Sequence, residues 1–77
     1  MHIKRLVLGE RAPDGWDYIR IERTASGFFD VTGAIASSGG ATCSRLRFPT
    51  EKEAEAAGID WAAQCDSKIV YLETIEH

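Results

Sequence analysis

The side chains able to do chemistry are few and badly placed for it. His2 and His77 stand at the two ends of the 77-residue chain, so a nucleophile–histidine pair or a two-histidine metal site would have to recruit a residue from a terminus, where order is usually lost. Cys43 and Cys65 sit in no CxxC or Cys/His ligand spacing and fall short of a disulfide framework, so they read as small residues in or near the core. A Cys43 to Cys65 bridge stays geometrically open. Glu22 and Asp30 are the one carboxylate pair that a hairpin would bring together, and Arg20 and Arg23 make a solvated charge network the simpler reading. The glycines of Ser37–Gly40, "SSGG", are followed by Ala41 and Thr42, not by the Lys-Ser/Thr of a phosphate-binding loop. No catalytic residue, metal ligand or cofactor site is expected, and the chain reads as a non-enzyme.

A second kind of chemistry, recognition, has better candidates. Trp16, Tyr18, Arg20, Arg45 and Arg47 are the aromatic and arginine types that dominate interface hot spots, and they also suit nucleic acid. Whether they can act together depends on the elements that carry them. "WDYIRIERT" and "FFDVTGAIA" alternate in hydropathy and are joined through "ASG", which predicts a hairpin with its glycine in the left-handed conformation. That pairing sets Ile21 by Val31 and Ile19 by Gly33 on one face, leaving Trp16, Tyr18, Arg20 and Glu22 with Phe28, Asp30 and Thr32 on the other. "ATCSRLRF" predicts a further strand that buries Leu46 and Phe48 and turns Arg45 and Arg47 outward. "HIKRLVLGE" reads as a first strand ending at Gly9, and "RAPDGW" as the turn after it.

Thr50 followed by Glu53 is a capping box that predicts a helix from about residue 51. Its buried stripe is small: Ala54, Ala57, Gly58, Trp61, Ala62 and Cys65 recur at helical spacing. Gly58, costly in mid-helix, predicts a close crossing over a large sheet residue. Ile59 lies off that stripe and reads either as a contact residue or as a singly exposed isoleucine that needs no explanation. "KIVYLETI" predicts a last strand with apolar residues on both sides, placed centrally or with its second face against something else.

The expected fold is thus a single α+β domain over 1–77: an antiparallel sheet made of a four-strand meander plus a C-terminal strand, with one helix packed on one face. A crossover through the helix to the outside of the first strand gives the order 4-3-2-1-5. At this length only one core fits.

Charge narrows the partners. The net charge is −3, and it is divided unevenly: residues 1–50 hold seven basic and five acidic side chains, residues 51–77 two basic and seven acidic. A net acidic domain is a poor nonspecific nucleic-acid binder, although one face can still be basic. No apolar run approaches the roughly 20 residues of a bilayer span, no signal peptide is expected in "MHIKRLVLGER", and the cytoplasm is the expected location.

The order β-β-β-β-α-β with "FPTEKEAEAAGIDWA" resembles a set of small stand-alone bacterial proteins of unknown function, in which a "T-x-x-E-A" capping segment and a "G-x-x-W-A" helix follow a meander. It is also similar to the arm-type DNA-binding module of phage integrases, related to the plant AP2 domain, whose helix opens "T-K-x-E-A". That second resemblance implies base or phosphate contacts by Trp16, Tyr18, Arg20, Arg45 and Arg47. The composite expectation is a non-catalytic interaction module with a protein partner, a second copy forming a homodimer through the helix-free face or the last strand. The alternative is a DNA-binding accessory protein using the same basic and aromatic face.

Overall fold

The computed structural model describes residues 1–38 and 40–76; Gly39 and His77, which enter the phosphate-loop and metal readings above, lie outside them. Five strands and one helix follow the expected succession: β1 (His2–Arg5), β2 (Tyr18–Arg23), β3 (Phe29–Ile35), β4 (Ala41–Phe48), α1 (Glu51–Gln64) and β5 (Ile69–Glu76), with a 3-10 turn at Ala36–Ser38. The chain folds as one α+β layer pair.

The β2–β3 hairpin has the expected register, Ile19 opposite Gly33 and Ile21 opposite Val31, closed through Ala25–Gly27 with Gly27 at φ 88°. Thr24 fixes the loop: its backbone N–H donates to Phe28 O at 2.9 Å, and Gly27 N donates back to Thr24 O at 3.1 Å. A β-branched residue at Gly27 would strain this turn.

The strand order differs from the expected 4-3-2-1-5. It runs β1-β5-β2-β3-β4, with β5 parallel to both β1 and β2, so the sheet is mixed and not purely antiparallel. The two-sided apolar character of β5 accounts for this. Val70 and Leu72 are buried toward α1, Tyr71 and Glu73 are covered on the opposite face, and both edges of the strand are paired. A central slot satisfies all of these; an edge would not. Pairing with a partner through the last strand is therefore ruled out by the ladder itself.

Inserting β5 has a consequence for the opposite face. β1 and β2 are now parallel, and parallel strands need a long return connection. The residues from Leu6 to Asp17 supply it, crossing the face away from the helix. This shortens the first strand to His2–Arg5. Leu6 N and Gly9 N still bond to Leu72 O and Thr74 O, at 3.0 and 2.8 Å, before the chain turns back.

Thr50 caps α1 as expected, its hydroxyl accepting from Glu53 N at 3.2 Å. Ala54, Gly58 and Ala62 are buried. A Cβ on Gly58 would stand 2.6 Å from Ile19 Cγ2, and one on Gly33 would stand 2.9 Å from Trp61 Cζ3. The helix backbone thus rests directly on Ile19 while the indole edge of Trp61 fills the space over Gly33. The core is Ile19, Ile21, Val31, Ile35, Ala54, Ala62, Val70 and Leu72.

Two expectations about packing are corrected. Leu46, opposite Val31, shares its side of the sheet yet is 47% exposed, α1 lying more closely over β2 and β3 than over the edge strand β4; Phe48 does pack against the core. Ile59 is half-buried against the core and not a free contact residue. It lies one turn after Glu55, on the flank of α1 where Glu55 pairs with Arg5 of β1.

Candidate functional site

The face away from α1 carries all five predicted recognition residues, but as two clusters. In the first, the return connection holds Trp16 edge-on against Tyr71, ring centroids 5.9 Å apart at 77°. The Lys4 ammonium stands 5.7 Å from the centroid of the same tyrosine. Arg20, two residues after Tyr18 on β2, stacks over its ring at 5.0 Å and donates from Nε to Glu73 at 2.8 Å. Glu73 is almost fully buried, and its second oxygen accepts from Ala12 N at 2.8 Å. One carboxylate therefore pins both the arginine and the loop that carries Trp16.

The second cluster lies at the β3–β4 end. Asp30, 1% exposed, accepts from Arg47 Nε at 2.8 Å and Nη2 at 3.2 Å, and from Arg45 Nη1 at 3.1 Å. Arg45 also reaches Glu22 at 3.5 Å, and Arg47 lies 5.7 Å from the ring centroid of Phe28. A β-bulge between Val31 and Gly33 belongs to the same stretch of the ladder, in which both arginines reach one carboxylate. Hydrogen bonds from Arg47 hold the Asp30 carboxyl below the ordinary range, outweighing the burial that would raise it. Of the two arginines expected beside Glu22 and Asp30, Arg20 hydrogen-bonds Glu73 while still interacting electrostatically with Glu22, and Arg23 turns instead to Glu51 and Glu76.

At one end of the sheet is a groove of about 610 Å³. It lies between the return connection, the 3-10 turn and the α1–β5 turn. Buried Asp17 ties these three segments together: it accepts from Ser37 N at 3.0 Å, Ser37 Oγ at 2.5 Å and Ser67 Oγ at 2.6 Å, while its own backbone carbonyl accepts from Tyr71 N at 3.0 Å. Burial acts to raise the Asp17 pKa, and the donors from Ser37 and Ser67 overcome it, leaving the group below its usual value. Trp16, 48% exposed, walls this groove and a smaller one of about 300 Å³ beside Arg11, Tyr18 and Arg20.

Tyr71, Glu73, Asp17, Asp66 and Lys68 were not among the residues predicted for the site. Tyr71 and Glu73 follow only from the central position of β5. Asp17 precedes its strand as an ordinary turn residue would, and its partners Ser37 and Ser67 are 20 and 50 residues away in sequence.

The chain matches no family model, no curated protein and no solved structure. The fold and site define a small mixed-sheet α+β domain with a pre-organised aromatic and arginine face. No helix among the described residues is long and apolar enough to cross a membrane.

Proposed function

We propose that this chain is a non-catalytic interaction module that self-associates as a homodimer through the sheet face opposite α1. The observation that carries this reading is Trp16, half exposed on a helix-free face yet held edge-on by Tyr71. An exposed aromatic fixed before binding loses little entropy when a partner covers it. Phe28, 41% exposed and flanked by Arg47, offers a second anchor of the same kind. The face is favoured over the free edge of β4, since a bulge and two arginines are devices that discourage edge pairing. A reducing compartment such as the cytoplasm belongs to this reading.

Sedimentation velocity at micromolar concentration tests it: the wild-type chain should run as a dimer and Trp16→Ala as a monomer. A wild-type chain that stays monomeric at these concentrations overturns the proposal. The DNA-binding alternative is disfavoured because Arg45 and Arg47 share Asp30 and Arg20 is committed to Glu73, which leaves the face little net positive charge for phosphates. Salt-sensitive binding of duplex DNA weakened by Arg45→Ala or Arg47→Ala would reinstate it.

A further inference from the structure

The two cysteines of the chain, Cys43 and Cys65, play no part in the interaction reading, and the fold brings them into the same layer. Cys43 stands opposite Gly33 in the β3–β4 ladder, on the side of the sheet that faces α1. Gly33 has no side chain, and what lies over it is the ring of Trp61, 2.9 Å from where a Cβ would be. One helical turn beyond Trp61, on the same face, comes Cys65. It is the C-cap of α1, its N–H donates to Trp61 O at 3.1 Å, and it packs against the core. Both cysteines are half-buried. Their thiols are near enough that a charge on Cys65 disfavours a charge on Cys43.

We infer that Cys43 and Cys65 are a dithiol that closes reversibly into an intramolecular disulfide, stapling the edge strand β4 to the C-terminal end of α1. Such a bond demands a Cα separation below about 7 Å and side chains that converge, so the two elements must draw together. They are the ones with the most freedom to do so. β4 is an outermost strand, paired on one side only, and α1 lies less closely over it than over β2 and β3. Cys65 has already left helical geometry, at φ −86° and ψ 8°, so a rotation there leaves the preceding turns intact. The Cys43 thiol donates to the neighbouring Ser44 carbonyl at 3.3 Å, a weak bond that closure gives up at little cost.

The oxidant is a small disulfide, and the chemistry balances with it. The thiolate of one cysteine attacks a sulfur of R–S–S–R, forming a mixed disulfide and expelling one RS⁻. The thiolate of the other attacks the protein sulfur of that mixed disulfide, forming the Cys43–Cys65 bond and expelling the second RS⁻. The two leaving thiolates take up the two protons the protein gave up, so two protein thiols are oxidised while one small disulfide is reduced to two thiols. An excess of the small thiol drives the same steps backward. Burial, which pushes the Cys43 thiol up, keeps its reactive thiolate scarce at neutral pH. The pair therefore answers a sustained change in the thiol–disulfide balance and not a brief burst of oxidant. None of this depends on self-association.

The test is to equilibrate the full chain with mixtures of oxidised and reduced glutathione at about pH 8.5, where thiolate is plentiful. The end point is approached both from the reduced chain and from chain oxidised in urea and then refolded, and the products are read by intact mass and by peptide mapping without reductant. The expected product is a single chain lighter by two hydrogens, with Cys43 and Cys65 in one cross-linked peptide. At a given glutathione ratio the folded chain should hold about tenfold more disulfide over thiol than the chain in urea. By linkage the same factor stabilises the oxidised fold, so its Tm should rise by about 5–10 °C, and dithiothreitol should reverse the rise. Cys43→Ser and Cys65→Ser should each stop at a glutathione adduct on the remaining cysteine, with no gain in Tm. A folded wild-type chain that holds no more disulfide than the unfolded one, that ends as glutathione adducts or disulfide-linked dimers, or that melts no higher when oxidised would overturn the inference.

Discussion

Arg47 and Asp30 face each other across the β3–β4 ladder, and the arginine closes on the carboxylate with two donors, at 2.8 and 3.2 Å. Arg45 adds a third from the same strand. The carboxylate is buried and the two guanidiniums are more than half exposed, so removing the acid frees two solvated cations, whereas removing one arginine leaves the acid a remaining partner. Asp30→Asn should therefore cost about 1.5–3 kcal/mol, the range for hydrogen bonds to a charged group. Arg45→Ala should cost less than Asp30→Asn. Urea unfolding of the variants measures the order, and a more damaging Arg45→Ala would contradict this account.

Gly58 and Gly33 make a second prediction, about how closely the layers approach. Alanine at Gly58 gains about 1 kcal/mol of helix propensity, yet its Cβ would overlap Ile19 Cγ2 at 2.6 Å and crowd Val31 Cγ1 at 3.3 Å. Overpacking of this kind costs about 1–3 kcal/mol, so Gly58→Ala should be net destabilising. Gly33→Ala should be worse, because its Cβ meets the Tyr18 carbonyl oxygen at 2.8 Å as well as the Trp61 ring, and a backbone atom paired in the ladder cannot step aside. Thermal melts of the two variants rank them.

These contacts show which parts of the fold were legible in the sequence. Alternation and the Ala25–Gly27 turn are local signals, and they set the hairpin register and the face assignment of Tyr18, Arg20 and Asp30. The small-residue stripe of α1 is also local, and it called for a large sheet residue beneath Gly58, which is Ile19. Strand order is not local. Whether β5 lies outside β1 or between β1 and β2 depends on which slot buries Val70, Leu72, Tyr71 and Glu73 together, and both placements satisfy the same helical crossover. The misplacement of that one strand hid the return connection over the open face. With it were hidden the Trp16–Tyr71 contact and the Glu73 tie. Asp17 was illegible for a related reason: its serine partners come from distant turns whose meeting point exists only once the sheet is assembled.

Glu73 gives the third prediction. Its two oxygens divide their work, one accepting from Arg20 Nε and the other from Ala12 N, both at 2.8 Å. Glu73→Gln presents an amide N–H where one of those acceptors stood, so one tie must break. The return connection should loosen, with faster hydrogen exchange at Ala12 and weaker self-association, because Trp16 rides on that loop. Overall stability should fall by about 1–2 kcal/mol. Unchanged exchange at Ala12 would mean that the loop is held by other contacts.

Cys43 lies opposite Gly33 on β4, half-buried on the helix side. Burial pushes its thiol pKa up, and the neighbouring Cys65 thiol adds to the rise. Since the thiolate is the reactive form, Cys43 should alkylate slowly at neutral pH and its rate should climb at higher pH than for an ordinary thiol. Cys65→Ser should shift that profile down only slightly, because burial is the larger cause. The pH dependence of iodoacetamide labelling, read by mass spectrometry, decides the point.

Asp30 and Asp17 together set the response to acid. Both have folded-state pKa values below the ordinary range: Asp30 through the hydrogen bonds of Arg47, outweighing its burial, and Asp17 through serine donors that overcome its burial. A carboxyl depressed in the folded state binds protons more readily when unfolded, so the stability it contributes is fully present above its unfolded pKa and drains away as pH falls toward the folded value. The wild-type chain should accordingly hold a constant urea midpoint near neutrality and lose stability below about pH 5. Asp30→Asn cannot titrate there; it should start from a lower midpoint at pH 7 and fall less steeply, so that its curve and the wild-type curve converge in acid. Asp17→Asn should likewise start from a lower midpoint and flatten the acid limb, because the donors from Ser37 and Ser67 depress that carboxyl in the folded state. Parallel curves for the wild-type chain and Asp30→Asn would show that the guanidinium grip on Asp30 does not govern the acid limb.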